Sequence, residues 1–224
     1  LFITFSLLFK QVGSLITSLG LIGFGITFAL QKPILNFVGW LTIVFNKTYK
    51  LGDVVSMNNA NGRVYDIKVM YTNLAELNNI GDPTGKSISI PNEFVLTSPV
   101  TNFTKGTNYI WDEIVIYLTY QSNWEKAQKI AQKIIQDYYD KNIKKGVKKA
   151  FKEEFKAQEK IVPRTGINEK GVILKFRYLV DFNVVNETKG TMVKILLDKL
   201  KSKDIIFGKI EDIKSDSYKL LGKN

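Results

Sequence analysis

Phe24 and Phe28 stand four residues apart inside a run, residues 11–31, that reads QVGSLITSLGLIGFGITFALQ and carries no charged side chain. With Leu21 they follow the helical spacing i, i+3, i+7, so a helix places all three on one apolar stripe. Gly20, Gly23 and Thr27 fall on one flank of the stripe; Ser18, Gly25 and Ala29 fall on the other. The chemistry open to this pattern is physical rather than catalytic. Small flanks let copies of a helix approach closely. A bulky ridge turned toward a shared centre would make a constriction that stops ions by dewetting. The same spacing suits a single membrane anchor whose glycines only help it dimerise, and spacing alone leaves both readings open.

Ordinary catalysis has few carriers here. The 224 residues include no Cys and no His. That excludes disulfides, thiolate catalysis and zinc–thiolate sites, and it removes the usual general base and the commonest metal ligand. Asp, Glu and Lys remain, but no convergent set of them stands out. The expectation is a protein that is not an enzyme, with no cofactor and no metal site. The formal net charge is +11; residues 1–46 hold only Lys10 and Lys32 and no acid, which leaves +9 for the remainder. A basic balance fits nucleic acid, anionic lipid or small anions alike.

The element that must position the phenylalanines is a membrane helix. About 20 mostly apolar residues cross the hydrocarbon, and four glycines (Gly13, Gly20, Gly23, Gly25) in one run would be costly in a lone soluble helix. Residues 1–10 are apolar and end at Lys10, whose stem can snorkel; they are either the end of an earlier helix or the start of this one. The chain begins at Leu1, so the reading is part of a longer chain with earlier membrane helices, not a cleaved signal peptide. Pro33 predicts a kink or break near Lys32. Residues 34–45 (ILNFVGWLTIVF) then read as a second apolar helix, too short to span. Asn36 is its main polar interruption and Trp40 suits the membrane boundary. It would lie along the interface or against neighbouring subunits, or be a core helix of the next domain. Lys47 and Lys50 follow at once, which marks the cytoplasmic side.

Residues 51–103 change to short strands. Asp53-Val54-Val55, a turn-rich cluster over residues 58–62 and Arg63 to Ile67 form a hairpin signature. Residues 70–77 and 86–90 are further strands around a loop at 78–85, and residues 100–103 close a small β-barrel. Residues 109–120 alternate as a strand. Ser122 and Glu125 read as a capping box before a helix with Ala127, Ile130, Ala131, Ile134, Ile135 and Tyr138 inward. Residues 141–160 are lysine-dense and read as a solvated helix face, with a nucleic-acid or lipid patch as the sharper alternative. A strand at 172–182, a helix around Met192 to Leu200, and strands at 205–207 and 209–213 complete an α+β sandwich.

Three stretches, in this order and spacing, resemble the family of small-conductance mechanosensitive channels, MscS. Residues 23–45, GFGITFALQKPILNFVGWLTIVF, are similar to its pore-lining helix, where a small-residue half ends in A-L-Q and an amphipathic half follows a kink. Tyr49-Lys50-Leu51-Gly52-Asp53-Val54-Val55 with Gly62-Arg63-Val64 resembles the F/Y-x-x-G-D-x-V and G-x-V of its β domain. Ile88-Ser89-Ile90-Pro91-Asn92, with Asn102-Phe103 downstream, resembles its I-x-I-P-N and N-x-(S/T) region.

The resemblance implies a channel opened by membrane tension that acts as an osmotic safety valve in the cell membrane. Its two pore-narrowing leucines fall on Phe24 and Phe28, with Leu21 and Gln31 lining the pore and Gly20, Gly23, Gly25 and Ala29 packing helix on helix. Ile26 and Thr27 are bulkier than the family's small residues. The hinge glycine falls on Lys32, next to Pro33, and the coupling asparagine on Asn36. The implied fold is a membrane α-helical pore segment at 1–46, a small all-β (Sm/SH3-like) barrel at 47–105 and an α+β (ferredoxin-like) cytoplasmic domain at 106–224. The implied partners are other copies of the chain, typically in a heptamer, the lipid bilayer and permeant ions. Residues 141–160 look like an insertion, and the family's P-Y-P segment is not found near Ile205, so a terminal β-barrel would be shortened or absent. The rival class is a membrane-anchored nucleic-acid or ligand-binding protein. It lacks the aromatic-basic interleaving of an RNA-binding sheet, so no nucleic-acid partner is expected.

Overall fold

A computed structural model of the chain describes residues 2–151 and 160–208, with side chains from Leu15 onward. The N-terminal element is one helix, α1, Phe2–Asn46, 45 residues long with Pro33 inside it. The break expected at Lys32 and Pro33 is therefore absent, and residues 34–45 are not a separate half-helix. Proline removes one ladder hydrogen bond and crowds the carbonyl four residues back, at a cost of about 3 kcal/mol. The turns after it are held both within the helix and from the domain that follows. Asn36 Nδ2 donates to the Lys32 carbonyl at 2.9 Å, and Ile43 is buried in the core of the domain that follows.

That domain is a five-stranded antiparallel sheet in the order β4-β3-β2-β1-β5. Its strands are β1 Val54–Met57, β2 Ala60–Ile67, β3 Tyr71–Leu77, β4 Pro83–Pro91 and β5 Val100–Asn102, with a short helix α2, Phe94–Thr97, between the last two. The turn from β1 to β2 is tighter than the sequence suggests. Only Asn58 and Asn59 occupy it, both at positive φ (45° and 62°), and Met57 pairs directly with Ala60. Two left-handed residues match the twist of a two-residue hairpin. The ladders leave β4 and β5 as edges, so the described strands form an open sheet where a barrel was expected. β5 is only three residues long and pairs with β1 alone.

The second sheet has the order β6-β8-β7, from β6 Tyr109–Leu118, β7 Pro163–Asn168 and β8 Gly171–Asp181. β8 is antiparallel to both neighbours. Phe207 bridges Leu118 on the free edge of β6; the strand expected at 209–213 lies outside the described residues. Helices α3 (Trp124–Asn142), α4 (Lys144–Phe151) and α5 (Val185–Lys199) complete the element order. α3 and α5 pack on the sheet, with Ala131, Ile135, Leu174, Phe176 and Met192 in one core. The capping residue of α3 is Asn123, which accepts from the Lys126 backbone. Ser122 instead holds the 204–206 turn, accepting from the Ile206 backbone at 3.1 Å. β7 was not foreseen, because PRTGIN shows no alternation; five of its six residues are exposed.

Asp112 is buried in this domain, where Lys189 Nζ lies 2.9 Å from one carboxylate oxygen and the Tyr178 hydroxyl donates to the other at 2.6 Å. Burial and the adjacent carboxylate both push the Tyr178 phenol up, so it stays a donor. Lys189→Met strips the buried carboxylate of its cation. The expected cost is about 2 kcal/mol of stability, read as a lower denaturation midpoint of the detergent-solubilised chain. An unchanged midpoint would show that the ion pair contributes nothing.

The two domains touch through Phe182, which packs with Val54 and Leu77. Arg63 donates to Asn183 Oδ1 at 2.6 Å, and Asn186 donates to Asp82 Oδ1 at 2.6 Å and to the Ile80 carbonyl at 2.9 Å.

Candidate pore helix and its seat on the β domain

Ten large apolar side chains of α1, from Leu15 to Ile34, are 48–73% exposed. Left in water, each forgoes about 1–2 kcal/mol of burial, a cost that only lipid or other protein surfaces can remove. Residues Leu15–Asn46 form a helix long and apolar enough to cross a membrane, by length and composition. Leu21, Phe24 and Phe28 are among the barest residues of the run, and the rings of Phe24 and Phe28 stack with centroids 6.5 Å apart at 19°. Among the described residues, nothing lies within 4 Å of a Cβ added at Gly20, Gly23 or Gly25. Gln31 and Ala29 are exposed as well. Thr27 turns its hydroxyl back to the Gly23 carbonyl at 2.8 Å, which makes it less polar toward its surroundings.

Below this run α1 rests on the β domain. The contact is built by the turn after β4, Pro91-Asn92-Glu93. Gly39 lies so close that a Cβ there would fall 2.2 Å from the Asn92 carbonyl oxygen. Asn36, 9% exposed, accepts from the Glu93 backbone N–H at 3.0 Å. Lys32 Nζ donates to both Glu93 carboxylate oxygens at 3.0 Å. Asn92 is fixed in turn. Its Oδ1 accepts from Thr72 Oγ1 at 2.8 Å, and its Nδ2 donates to the Lys68 and Val69 carbonyls at 2.8 and 2.9 Å. Behind it Tyr49 shares a 2.9 Å hydrogen bond with Thr72.

The remaining motif residues tie the sheet together. Asp53 is buried and accepts from Asn102 Nδ2 at 2.8 Å and from the Lys50 backbone at 3.1 Å. Thr104 accepts from the Val54 backbone at 2.8 Å. Gly62 runs so close to β3 that a Cβ would lie 2.6 Å from the Ala75 carbonyl oxygen. These motifs are thus framework, and of the candidate site residues the structure gathers Lys32 and Asn36 at one contact, with Pro33 between them. Sequence reasoning missed Glu93 and Gly39. The signal was present: an acid directly after Ile-Pro-Asn, and a small residue three positions after Asn36.

Burial pushes the Tyr49 phenol up to about 12, against a smaller lowering by Thr72. Folding thus favours the protonated phenol. Its contribution is complete below pH 10 and is lost as pH rises from 10 to 12, worth about 2–3 kcal/mol in all. Tyr49→Phe is expected to flatten the fall of stability across that window, measured by denaturation in detergent. An unaltered slope would contradict the buried phenol.

Residues 32–105 match the family described as mechanosensitive ion channel, beta-domain. An uncharacterised MscS family protein of Buchnera aphidicola is 29% identical over 120 residues, 54% of this chain and 40% of the relative. The mechanosensitive channel MscK of Escherichia coli is 27% identical over 106 residues, 47% of this chain and 9% of the relative. The crystal structure of Helicobacter pylori MscS in a closed state superposes with a TM-score of 0.63 at 20% identity, over 90% of this chain and 72% of that one. The class is a membrane-type helix followed by antiparallel sheets and helices. Within it, residues 32–105 match the β domain of mechanosensitive ion channels, and the relatives this chain resembles are MscS family proteins. It spans well under half the length of the curated relatives it matches.

Proposed function

We propose that copies of this chain surround a common axis and form an ion channel opened by membrane tension, an osmotic safety valve of the cell membrane. The observation that supports it best is the apolar run of α1, whose large side chains from Leu15 to Ile34 are exposed among the described residues and which gives way to the β-domain contact at Lys32. In the closed state, rings of Phe24 and Phe28 hold a space too narrow and apolar for water to persist. Leu21 and Gln31 line the passage, and Gly20, Gly23, Gly25 and Ala29 let neighbouring helices meet. Tension favours whichever state occupies more bilayer area, and only a difference between states shifts the equilibrium. Lys32, Pro33 and Asn36 form the bending and coupling point between the pore and the β domain.

A heptamer is the assembly this reading takes from the family. Its domains after residue 46 face the cytoplasm, as the antiparallel β domain and a ferredoxin-like unit. Their basic surplus of +9 per copy would raise local anion concentration and favour anion passage. The test is reconstitution of the full chain in liposome patches. Suction steps should evoke currents whose reversal potential in a salt gradient shows anion preference. Patches silent up to rupture, together with a monomeric mass in detergent, would reject the channel. A cation-preferring reversal potential would reject the electrostatic part alone.

A further inference from the structure

Pro33 is the point where α1 lacks a ladder hydrogen bond, and the two polar side chains that bracket it end on one residue. Lys32, just before the proline, places its ammonium 3.0 Å from both carboxylate oxygens of Glu93. Asn36, three residues after it, accepts from the Glu93 backbone N–H at 3.0 Å and donates back to the Lys32 carbonyl at 2.9 Å. The Glu93 side chain is 11% exposed, whereas that of Lys32 is 72% exposed. The partners are therefore unequal. Released, the ammonium returns to water at little cost, but the carboxylate stays where an unpaired charge is unfavourable. Glu93 itself cannot swing away freely, because its neighbour Asn92 is held by five hydrogen bonds.

We propose that Glu93 is a positioning residue that splints α1 across Pro33, so that the helix bends there only when the Lys32–Glu93 pair separates. The β domain thereby sets the stiffness of the helix from outside, and bending becomes a two-state event instead of a continuous flexing. The consequence for gating rests on the channel reading; the splint itself does not.

The chain has no cysteine, so labels can be placed at will. In full-length chain in lipid nanodiscs, diluted with unlabelled copies, spin labels at Leu15→Cys and Val44→Cys lie about 44 Å apart along a straight helix. The native pair should give one narrow distance peak. Glu93→Gln should make the peak about two-fold broader and shift it shorter, as a freed proline hinge allows. Lys32→Gln should do the same, and the double variant should do no more than either alone. Exchanging the charges, Lys32→Glu with Glu93→Lys, should restore the narrow peak, which a merely structural role for either side chain would not do. A peak as narrow in Glu93→Gln as in the native chain overturns the splint, as do single-variant effects that add. Suction-evoked current is read on the same preparations. Absent current with the expected distance pattern removes the channel and keeps the splint; current with unaltered distances removes the splint alone.

Discussion

Phe28→Ser is expected to open at a lower tension than the native chain and to leak at rest. Phe24 and Phe28 are 69% and 71% exposed, and their rings stack 6.5 Å apart along one face of α1. Around an axis they would form a collar one helical turn deep. Exchanging phenylalanine for serine removes about 2 kcal/mol of apolar transfer free energy per copy and adds a hydroxyl that holds water. Summed over a ring, the closed state loses on the order of 10 kcal/mol of its preference for a dry passage. Phe24→Ser should act in the same direction, while Phe28→Leu keeps the surface apolar and should stay near the native threshold. Patch-clamp thresholds decide it. A Phe28→Ser threshold equal to or above the native one would exclude this gate.

Gly39→Leu is expected to unseat α1 from the β domain. An added Cβ there would lie 2.2 Å from the Asn92 carbonyl oxygen and 2.6 Å from its carbon. Both are backbone atoms of a turn fixed by Thr72, Lys68 and Val69, so the helix rather than the turn must move. Lifting it draws Ile43 out of the core and parts Asn36 from Glu93. Overpacking of this kind costs about 3 kcal/mol or more. The expected result is a lower melting temperature in detergent and faster proteolysis at Lys47 and Lys50. Gly25→Ala is the contrast. Among the described residues nothing lies within 4 Å of that Cβ, so the fold should keep its stability, and any effect should appear in the assembly mass alone. A Gly39→Leu chain as stable as the native one would contradict the close approach.

Local patterns carried most of the secondary structure. The period-two runs over β6 and β8 and the helical spacing of Ala127, Ala131 and Ile135 bury side chains at that spacing, so pattern and packing agree. Where they parted, a tertiary contact decided. Pro33 is a helix-ending signal, yet the grip of the β domain on Asn36, Gly39 and Ile43 carries α1 through it. Ser122 and Glu125 have capping-box spacing, but Ser122 is occupied by the 204–206 turn and Asn123 takes the cap. β7 is held by its ladder to β8 and shows no apolar pattern of its own. Of the site, the apolar stripe was legible because spacing alone puts Leu21, Phe24 and Phe28 on one face. Glu93 was not, since its importance comes from meeting Lys32 across 61 positions of sequence, which no local pattern encodes.

The most direct test is an image of the assembled full-length particle in a lipid bilayer. The account predicts a ring of identical subunits in which Phe24 and Phe28 from every copy point at one another across a central passage, with Gly20, Gly23 and Gly25 at the contacts between helices. Phenylalanines turned outward to lipid around a solid or absent centre would contradict it.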